Sequence, residues 1–562
     1  MSFRRHTCIN FSKILIMKNV LTTGLLFVAT FLFSLGTLTA QDLSQQLDPL
    51  FEQEYPADGP GATVLVAKNG KILYRKAFGL ANLELKVPMK PEHVLELGSI
   101  TKQFTAVAIL MLAEKGKLSL DDPLSKYIPD YPKGKDIKIH HLLNHTSGIK
   151  SYTDMPSFRE LARTDMTPVE LIAVFKDEPM EFSPGEKYKY NNSAYIILGH
   201  LVEQVAGISY EEFIKQNIFT PLGMKNSYYG SKSTLISNRA SGYQPFENGF
   251  RNAEYLSMTL PYAAGSLMSN VDDMLLWNEA VHNNKLISQK SKDLAFKNYA
   301  LNDGKPIYYG YGWGVNEMSG SPTLEHGGGI FGYTTYGAYA PKENIYVIVL
   351  TNTNGKDPGN VALQALAAAL GKSQSNEAIV LKEEEMKQWT GAYQFEDVVR
   401  FVSLKDGSLY SQRDGGQAIK LFPITAENYR FENSFATYTF RRENGKRVAE
   451  FADRIVKSTG IEADIKPATE KDVITVSSNI LSTYTGTYEL QPGFLIEVTT
   501  EDDRIFAQAT GQQRFEIFAE SPETFFLKVV PAKVIFNKDS NGKIESLTLF
   551  QGGQEIEGKK IK

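Results

Sequence analysis

The feature that most constrains the fold of this chain is a repeat in its last third. Trp389-Thr390-Gly391-Ala392-Tyr393 returns as Tyr484-Thr485-Gly486-Thr487-Tyr488, residue 389 to residue 484, an offset of 95. Leu421-Phe422 returns as Ile517-Phe518 at an offset of 96. Phe440 with Asn444-Gly445 returns as Phe536 with Asn541-Gly542, at offsets of 96 and 97. So small a drift over so long a stretch marks a duplicated module. Short aromatic runs alternate with Asn-Gly pairs in both copies and with Asp-Gly pairs in the first, and such pairs suit tight turns between antiparallel strands. The reading is two small antiparallel β-barrels, over residues 380–460 and 473–562, joined through the polar stretch Ser458 to Asp472 with its Pro467. Neither module carries a constellation readable as an active site.

Chemistry therefore belongs upstream of the linker-like Gly371-Lys372-Ser373-Gln374-Ser375-Asn376, in a domain over residues 41–372. Helix and strand signals mix there. Ala62 to Ala67, then Asn69-Gly70, then Lys71 to Tyr74 reads as a β-hairpin. Ser193 to Val205 has a helical pattern, Asn344 to Thr351 reads as a buried strand, and Val361 to Leu370 as a closing helix. These mixed signals fit an α/β or α+β architecture.

Ahead of this domain, Arg4, Arg5, Lys13 and Lys18 precede an uncharged apolar run from Val20 to Leu38 that ends in Leu38-Thr39-Ala40. That is the pattern of a secretory leader over residues 1–40, with Met17 an alternative start and a retained anchor the rival reading. Either places the rest of the chain outside the cytoplasm, in the periplasm or beyond. The sole cysteine, Cys8, lies in the leader. A mature chain would have no disulfide, no thiolate nucleophile and no cysteine metal site. A net charge of −4 and the lack of a basic, aromatic-laced stretch argue against a nucleic-acid partner.

One stretch of the upstream domain looks chemical. In Glu96-Leu97-Gly98-Ser99-Ile100-Thr101-Lys102, serine and lysine stand three apart, so on a helix they share a face. Phe104, Val107, Ala108, Met111 and Leu112 continue at helical spacing to Gly116. A nucleophile, a base and a backbone N–H at a helix start are what acyl transfer needs. The structural alternative is an N-cap serine on a buried helix, with Lys102 on the surface. Ser147-Gly148-Ile149-Lys150 and Ser540-Asn541-Gly542-Lys543 have the same spacing but read as glycine loops. Two further stretches supply partners. Tyr188-Lys189-Tyr190-Asn191-Asn192 precedes the helix at Ser193, and Glu325-His326-Gly327-Gly328-Gly329 sets a histidine beside glycines that allow close backbone approach.

In that order, Ser99-x-x-Lys102, Tyr190-x-Asn192 and His326-x-Gly328 resemble the serine β-lactamase and penicillin-binding superfamily. Its class C β-lactamase-like branch, with D-aminopeptidases, carboxypeptidases and esterases, is the most similar. Ile139 to Gly148, Ala263 to Leu267 and Tyr311-Gly312-Trp313 also look like this family, and the resemblance spans roughly Leu50 to Leu370. It implies an α+β catalytic domain of the β-lactamase/transpeptidase type, an antiparallel sheet flanked by helices; the two added barrels resemble the D-aminopeptidase arrangement. Ser99 would be acylated, Lys102 and Tyr190 would move the protons, and Asn192, His326, Gly328 and Gly329 would contact substrate. The backbone N–H groups of Ser99 and Gly329 would form the oxyanion hole. His326 stands where β-lactamases carry lysine, which moves the expected chemistry away from antibiotic hydrolysis.

Other motifs read as structural. Gly327 to Gly332 matches a dinucleotide fingerprint, but a strand follows where a helix is needed. His141 and His145 have zinc-ligand spacing but no glutamate between them, and Asp121-Asp122-Pro123 reads as a turn. The expectation is a hydrolase without cofactor or metal, acting on a small amide, peptide or ester, cell-wall-derived or D-amino acid compounds included. The alternatives are a penicillin-binding or muropeptide-sensing protein with little turnover, and a surface-binding protein whose barrels do the work. Oligomeric state is not legible.

Overall fold

The computed structural model describes residues 40–562 except 247–248, 374–378, 397, 415, 433, 467–472, 492–493, 511–513, 529–531 and 552–553. Apart from Ala40, the leader reading lies outside the described residues. The chain divides into two compact units between residues 374 and 375.

The first unit is built on the expected hairpin. Strands β1 (Ala62–Lys68) and β2 (Lys71–Phe78) pair antiparallel across Asn69-Gly70, whose φ values of 52° and 71° are those of a type I′ turn. Strands β3 (Gly314–Met318), β4 (Ser321–Ile330), β5 (Tyr333–Ala340) and β6 (Ile345–Thr351) complete the sheet in the order β3-β4-β5-β6-β1-β2, each neighbour antiparallel. Side chains alternate between the faces of a strand, yet β1 is buried from Ala62 to Ala67 and β6 throughout. Both faces of the sheet centre are therefore covered. Helices α1 (Ala40–Glu54), α2 (Thr101–Glu114), α3 (Asn192–Ala206), α4 (Val271–His282) and α5 (Gly359–Ala369) are the main helices of this unit. Helix α4 packs on β1 and β6, while α5 packs on β5 and β6 and against α1.

Helix α2 stands where the apolar spacing places a helix, and every residue from Thr101 to Leu110 is buried. It is a central helix, packed against α3, with Phe104 stacked on Trp277 of α4 at 3.8 Å between ring centroids. It ends before Gly116, whose φ of 66° suits the left-handed position of a helix stop.

The second unit contains two closed eight-stranded antiparallel barrels. One runs from Gly391–Gln394 to Val456–Ala463, closing through Gln394 and Ile461; the other runs from Gly486–Gln491 to Gln554–Lys560, closing through Tyr488 and Lys560. The sequence repeat is a repeat of core contacts. Trp389 stacks on Phe440 at 5.5 Å, and Tyr484 on Phe536 at 4.4 Å. Tyr393 Oη donates to Trp389 O at 2.7 Å, and Tyr488 Oη to Tyr484 O at 2.6 Å. The repeated residues are those that fill each barrel and fix its first strand.

Candidate active site

Ser99 is the middle residue of a 3₁₀ turn, Gly98–Ile100, that runs directly into α2. The turn is held from outside by backbone. Gly98 has a φ of 54°, and a β-carbon there would stand 2.9 Å from Gly329 N. Only glycine can take that conformation with β4 so close. On the other side Leu97 N donates to Leu267 O at 2.8 Å, and Leu97 O accepts from Thr335 Oγ1 at 2.8 Å.

One turn on, Lys102 points inward. It is fully buried, which removes the surface-lysine reading. Its Nζ lies 3.1 Å from Ser99 Oγ, 2.8 Å from Asn192 Oδ1 and 2.9 Å from Ala264 O. The amide of Asn192 is oriented by its own nitrogen, which donates to Thr153 Oγ1 at 3.0 Å. Burial pushes the Lys102 amine well below its ordinary value, and among the described residues no carboxylate pairs with it. A neutral amine has two N–H bonds and one lone pair. Asn192 Oδ1 and the Ala264 carbonyl can only accept, so they take the two N–H bonds. The lone pair is then left facing the Ser99 hydroxyl. This is the arrangement of a base toward a nucleophile.

Tyr190 presents its ring face to the same amine, with Nζ 4.8 Å from the centroid. Burial drives its phenol up, with the nearby Ser99 hydroxyl working in the opposite direction. The phenol is thus neutral near pH 7, able to give a proton but poor at taking one. The loop that carries Tyr190, Asn191 and Asn192 is strapped to the loop of His145. Asn191 N donates to His145 Nδ1 at 3.1 Å, Lys189 N to His145 O at 3.1 Å, and Asn191 Nδ2 to Ile149 O at 2.5 Å. Asn191 Oδ1 then caps α3 by accepting from Ala194 N at 2.9 Å. His145 is itself buried, 4.4 Å from the Tyr190 ring, so it belongs to this cluster and not to a metal pair with His141.

The third stretch lies on β4. Its ladder to β3 ends at Glu325, so His326 to Ile330 continue past that neighbour and pass the Ser99 turn. The imidazole of His326 is engaged at both nitrogens. Nδ1 bonds to Gly327 O at 2.6 Å, which makes it the protonated nitrogen, and Nε2 accepts from Tyr309 Oη at 2.8 Å. Burial, with Lys102 nearby, lowers its pKa to about 4. His326 is therefore an uncharged wall of the site. Gly328 is pressed against the turn: a β-carbon there would meet Leu97 O at 2.1 Å and Thr335 Oγ1 at 2.2 Å. Gly329 faces open space and lines a cleft of about 340 Å³ together with Ser99, Asn192, Thr153, Leu260 and Phe331.

The structure thus brings Ser99, Lys102, Asn192, Tyr190, His326, Gly328 and Gly329 around one cleft. Sequence reasoning did not assign Ala264 O, Thr153, His145 or Tyr309 to it. Ala264 and His145 fell in stretches noted as family-like, whereas Tyr309 gave no signal. One consequence is mechanical. Gly328→Ala drives a methyl group into Leu97 O and Thr335 Oγ1 and breaks the hydrogen bond between them, so it should cost about 3 kcal/mol. A urea midpoint unchanged from wild type would contradict the packing described.

Comparison with known proteins agrees with this geometry. Residues 50–372 match the family model described as Beta-lactamase, and residues 470–560, around the second barrel, match a domain of unknown function, DUF3471. The chain is 25% identical over 537 residues to "Penicillin-binding protein 4*" of Bacillus subtilis (strain 168), covering 93% of this chain and all of that protein. The octameric penicillin-binding protein homologue from Pyrococcus abyssi aligns with a TM-score of 0.53 at 29% identity, over 74% of this chain and all of that one. The D-amino acid amidase from Ochrobactrum anthropi SV3 shares the fold, with a TM-score of 0.53 at 23% identity over 59% of this chain and 98% of its own. The family match spans more than half the chain, over the residues that build the cleft: this protein belongs to the β-lactamase family, as one of its serine hydrolases.

Proposed function

We propose that this chain is an exported hydrolase that forms an acyl-enzyme on Ser99, with a small amide, peptide or ester as substrate, D-amino acid and cell-wall-derived compounds included. The observation that carries the reading is the fully buried Lys102 Nζ, 3.1 Å from Ser99 Oγ and held there by Asn192 Oδ1 and Ala264 O. In the first step Lys102 takes the hydroxyl proton as Oγ attacks the substrate carbonyl. The oxyanion is received by the backbone N–H groups of Ser99 and Gly329. The lysine, charged for the lifetime of the intermediate, lies over the Tyr190 ring, an attractive placement for a cation. The leaving group departs with a proton from Lys102, directly or through the Tyr190 hydroxyl. Water then reverses the sequence and frees Ser99. Export rests on the leader read over residues 1–40.

His326 adds no positive charge, so a β-lactam carboxylate meets no fixed cation at this position. Slow turnover after acylation is the second reading, favoured by the full-length similarity to the Bacillus subtilis penicillin-binding protein. Both readings are tested on purified protein with a chromogenic β-lactam, short esters, and D- and L-amino acid anilides, followed by intact mass. Turnover of an ester or anilide with transient acylation supports the hydrolase. A stable β-lactam adduct with no turnover of any substrate supports the second reading. No adduct and no turnover would remove both.

A further inference from the structure

Beside the Ser99 cleft is a second one, of about 360 Å³, and Phe331 forms part of the wall of both. They also meet at consecutive residues, Tyr255 lining the second and Leu256 the first. The second cleft contains two cations, Lys232 and Arg239. Both bond to the same oxygen of Glu96: Lys232 Nζ and Arg239 Nη2 each stand 2.8 Å from Oε1. Arg239 Nη1 also donates to Ser231 O at 2.7 Å. The Glu96 side chain is 1% exposed, while those of Lys232 and Arg239 are 26% and 23% exposed. A buried carboxylate thus fixes two cations whose outer parts reach the cleft. Glu254, also in the lining, is paired with Arg251 at 3.0 Å. The Glu96 cluster carries one excess positive charge, since two cations share one anion, while Glu84 lies beyond Asn252 of the lining, to which it bonds at 2.7 Å.

The chemistry at Ser99 decides which part of a substrate would reach this charge. The leaving group must collect its proton from Lys102 or Tyr190, so it lies on the side of Tyr190 and His326, whose rings are 6.1 Å apart. The acyl group then lies the other way, along Ile330 and Phe331, where the second cleft begins. We propose that the cleft behind Phe331 is an acyl-side subsite for a carboxylate, with Lys232 and Arg239 as its anion-binding pair. This rests on the assignment of Ser99 as nucleophile. Glu96 is three residues before Ser99 in sequence, so its buried ion pairs place the subsite at a fixed position relative to the nucleophile.

The test compares the p-nitroanilides of glutamate and glutamine, in both configurations, which share a leaving group and differ in one acyl-side charge. Lys232→Met is the variant, because Glu96 keeps Arg239. Wild type should favour the glutamyl substrate in kcat/KM by about tenfold, and added salt should erode the preference. In Lys232→Met most of the preference should vanish, with the glutaminyl rate within about twofold of wild type. Absence of an acid preference in wild type, or its survival in the variant, overturns the subsite. If neither anilide is cleaved, calorimetry with N-acetylglutamate against N-acetylglutamine reads the subsite without turnover. Acid-selective binding lost in Lys232→Met supports it, and binding of neither or both equally overturns it. Failure of the Ser99 assignment shows separately, as absence of any acyl adduct.

Discussion

Ser99→Ala should lower turnover of any substrate found by about 10³-fold or more, and no acyl adduct should appear in the intact mass. The substitution deletes the hydroxyl that stands 3.1 Å from Lys102 Nζ. The proposed oxyanion donors are backbone groups of residue 99 and Gly329, so they survive it, and a small residual rate from binding and electrostatics is expected. The turn should survive as well. It is held by Leu97 N on Leu267 O, by Thr335 on Leu97 O, and by the contact of Gly98 with Gly329, none of which uses the serine side chain. The thermal midpoint should therefore stay close to wild type. A variant that unfolds would leave the rate loss ambiguous, and substrate binding without turnover resolves that case. Activity within about tenfold of wild type in a folded Ser99→Ala protein would sink the acyl-enzyme reading.

Much of this arrangement is legible in the amino-acid sequence, and the reason differs between parts. The barrels were readable because the residues that recur, Trp389 and Tyr484, Tyr393 and Tyr488, Phe440 and Phe536, are the ones that pack each barrel, and core positions tolerate little change. The hairpin was readable because Asn69-Gly70 is a local signal for a local structure. Ser99 and Lys102 were ambiguous in isolation for a physical reason. Spacing places two side chains on one face but does not say what that face meets. The partners that bury and orient Lys102 come from 90 and 162 residues further along the chain. Helix α2 shows the same limit: the apolar spacing announces a helix, and only the fold shows that it is covered on every side. Tyr309, which donates to His326, and Thr153, which orients Asn192, lie in stretches with no pattern of their own. Only the assembled sheet and helices bring them in.

Lys102→Met should be nearly as damaging to catalysis as loss of Ser99, by about 10³-fold, while changing stability in a way that depends on pH. Methionine keeps much of the stem volume but has no amine, so Ser99 loses its base while the cleft keeps its shape. Asn192 Oδ1 and Ala264 O each lose a donor, an unfavourable term that does not vary with pH. The pH-dependent term has the opposite sign. In the unfolded chain Lys102 holds its proton up to its ordinary pKa, but in the folded protein burial has lowered that value. Between the two values the unfolded state binds one proton more than the folded state, so wild-type stability rises with pH, by about 1.4 kcal/mol per unit. Below the folded value the slope vanishes and the full penalty of burying the amine is present. Lys102→Met has no such penalty. Relative to wild type, its urea midpoint should therefore improve as pH falls from about 10 toward neutrality. Wild-type turnover should follow the same protonation, present where the amine is neutral and lost as acid charges it. If the stability difference between wild type and Lys102→Met is flat with pH, Lys102 is charged in the resting protein. Its lone pair is then not available to Ser99, and the proton must go first to another group.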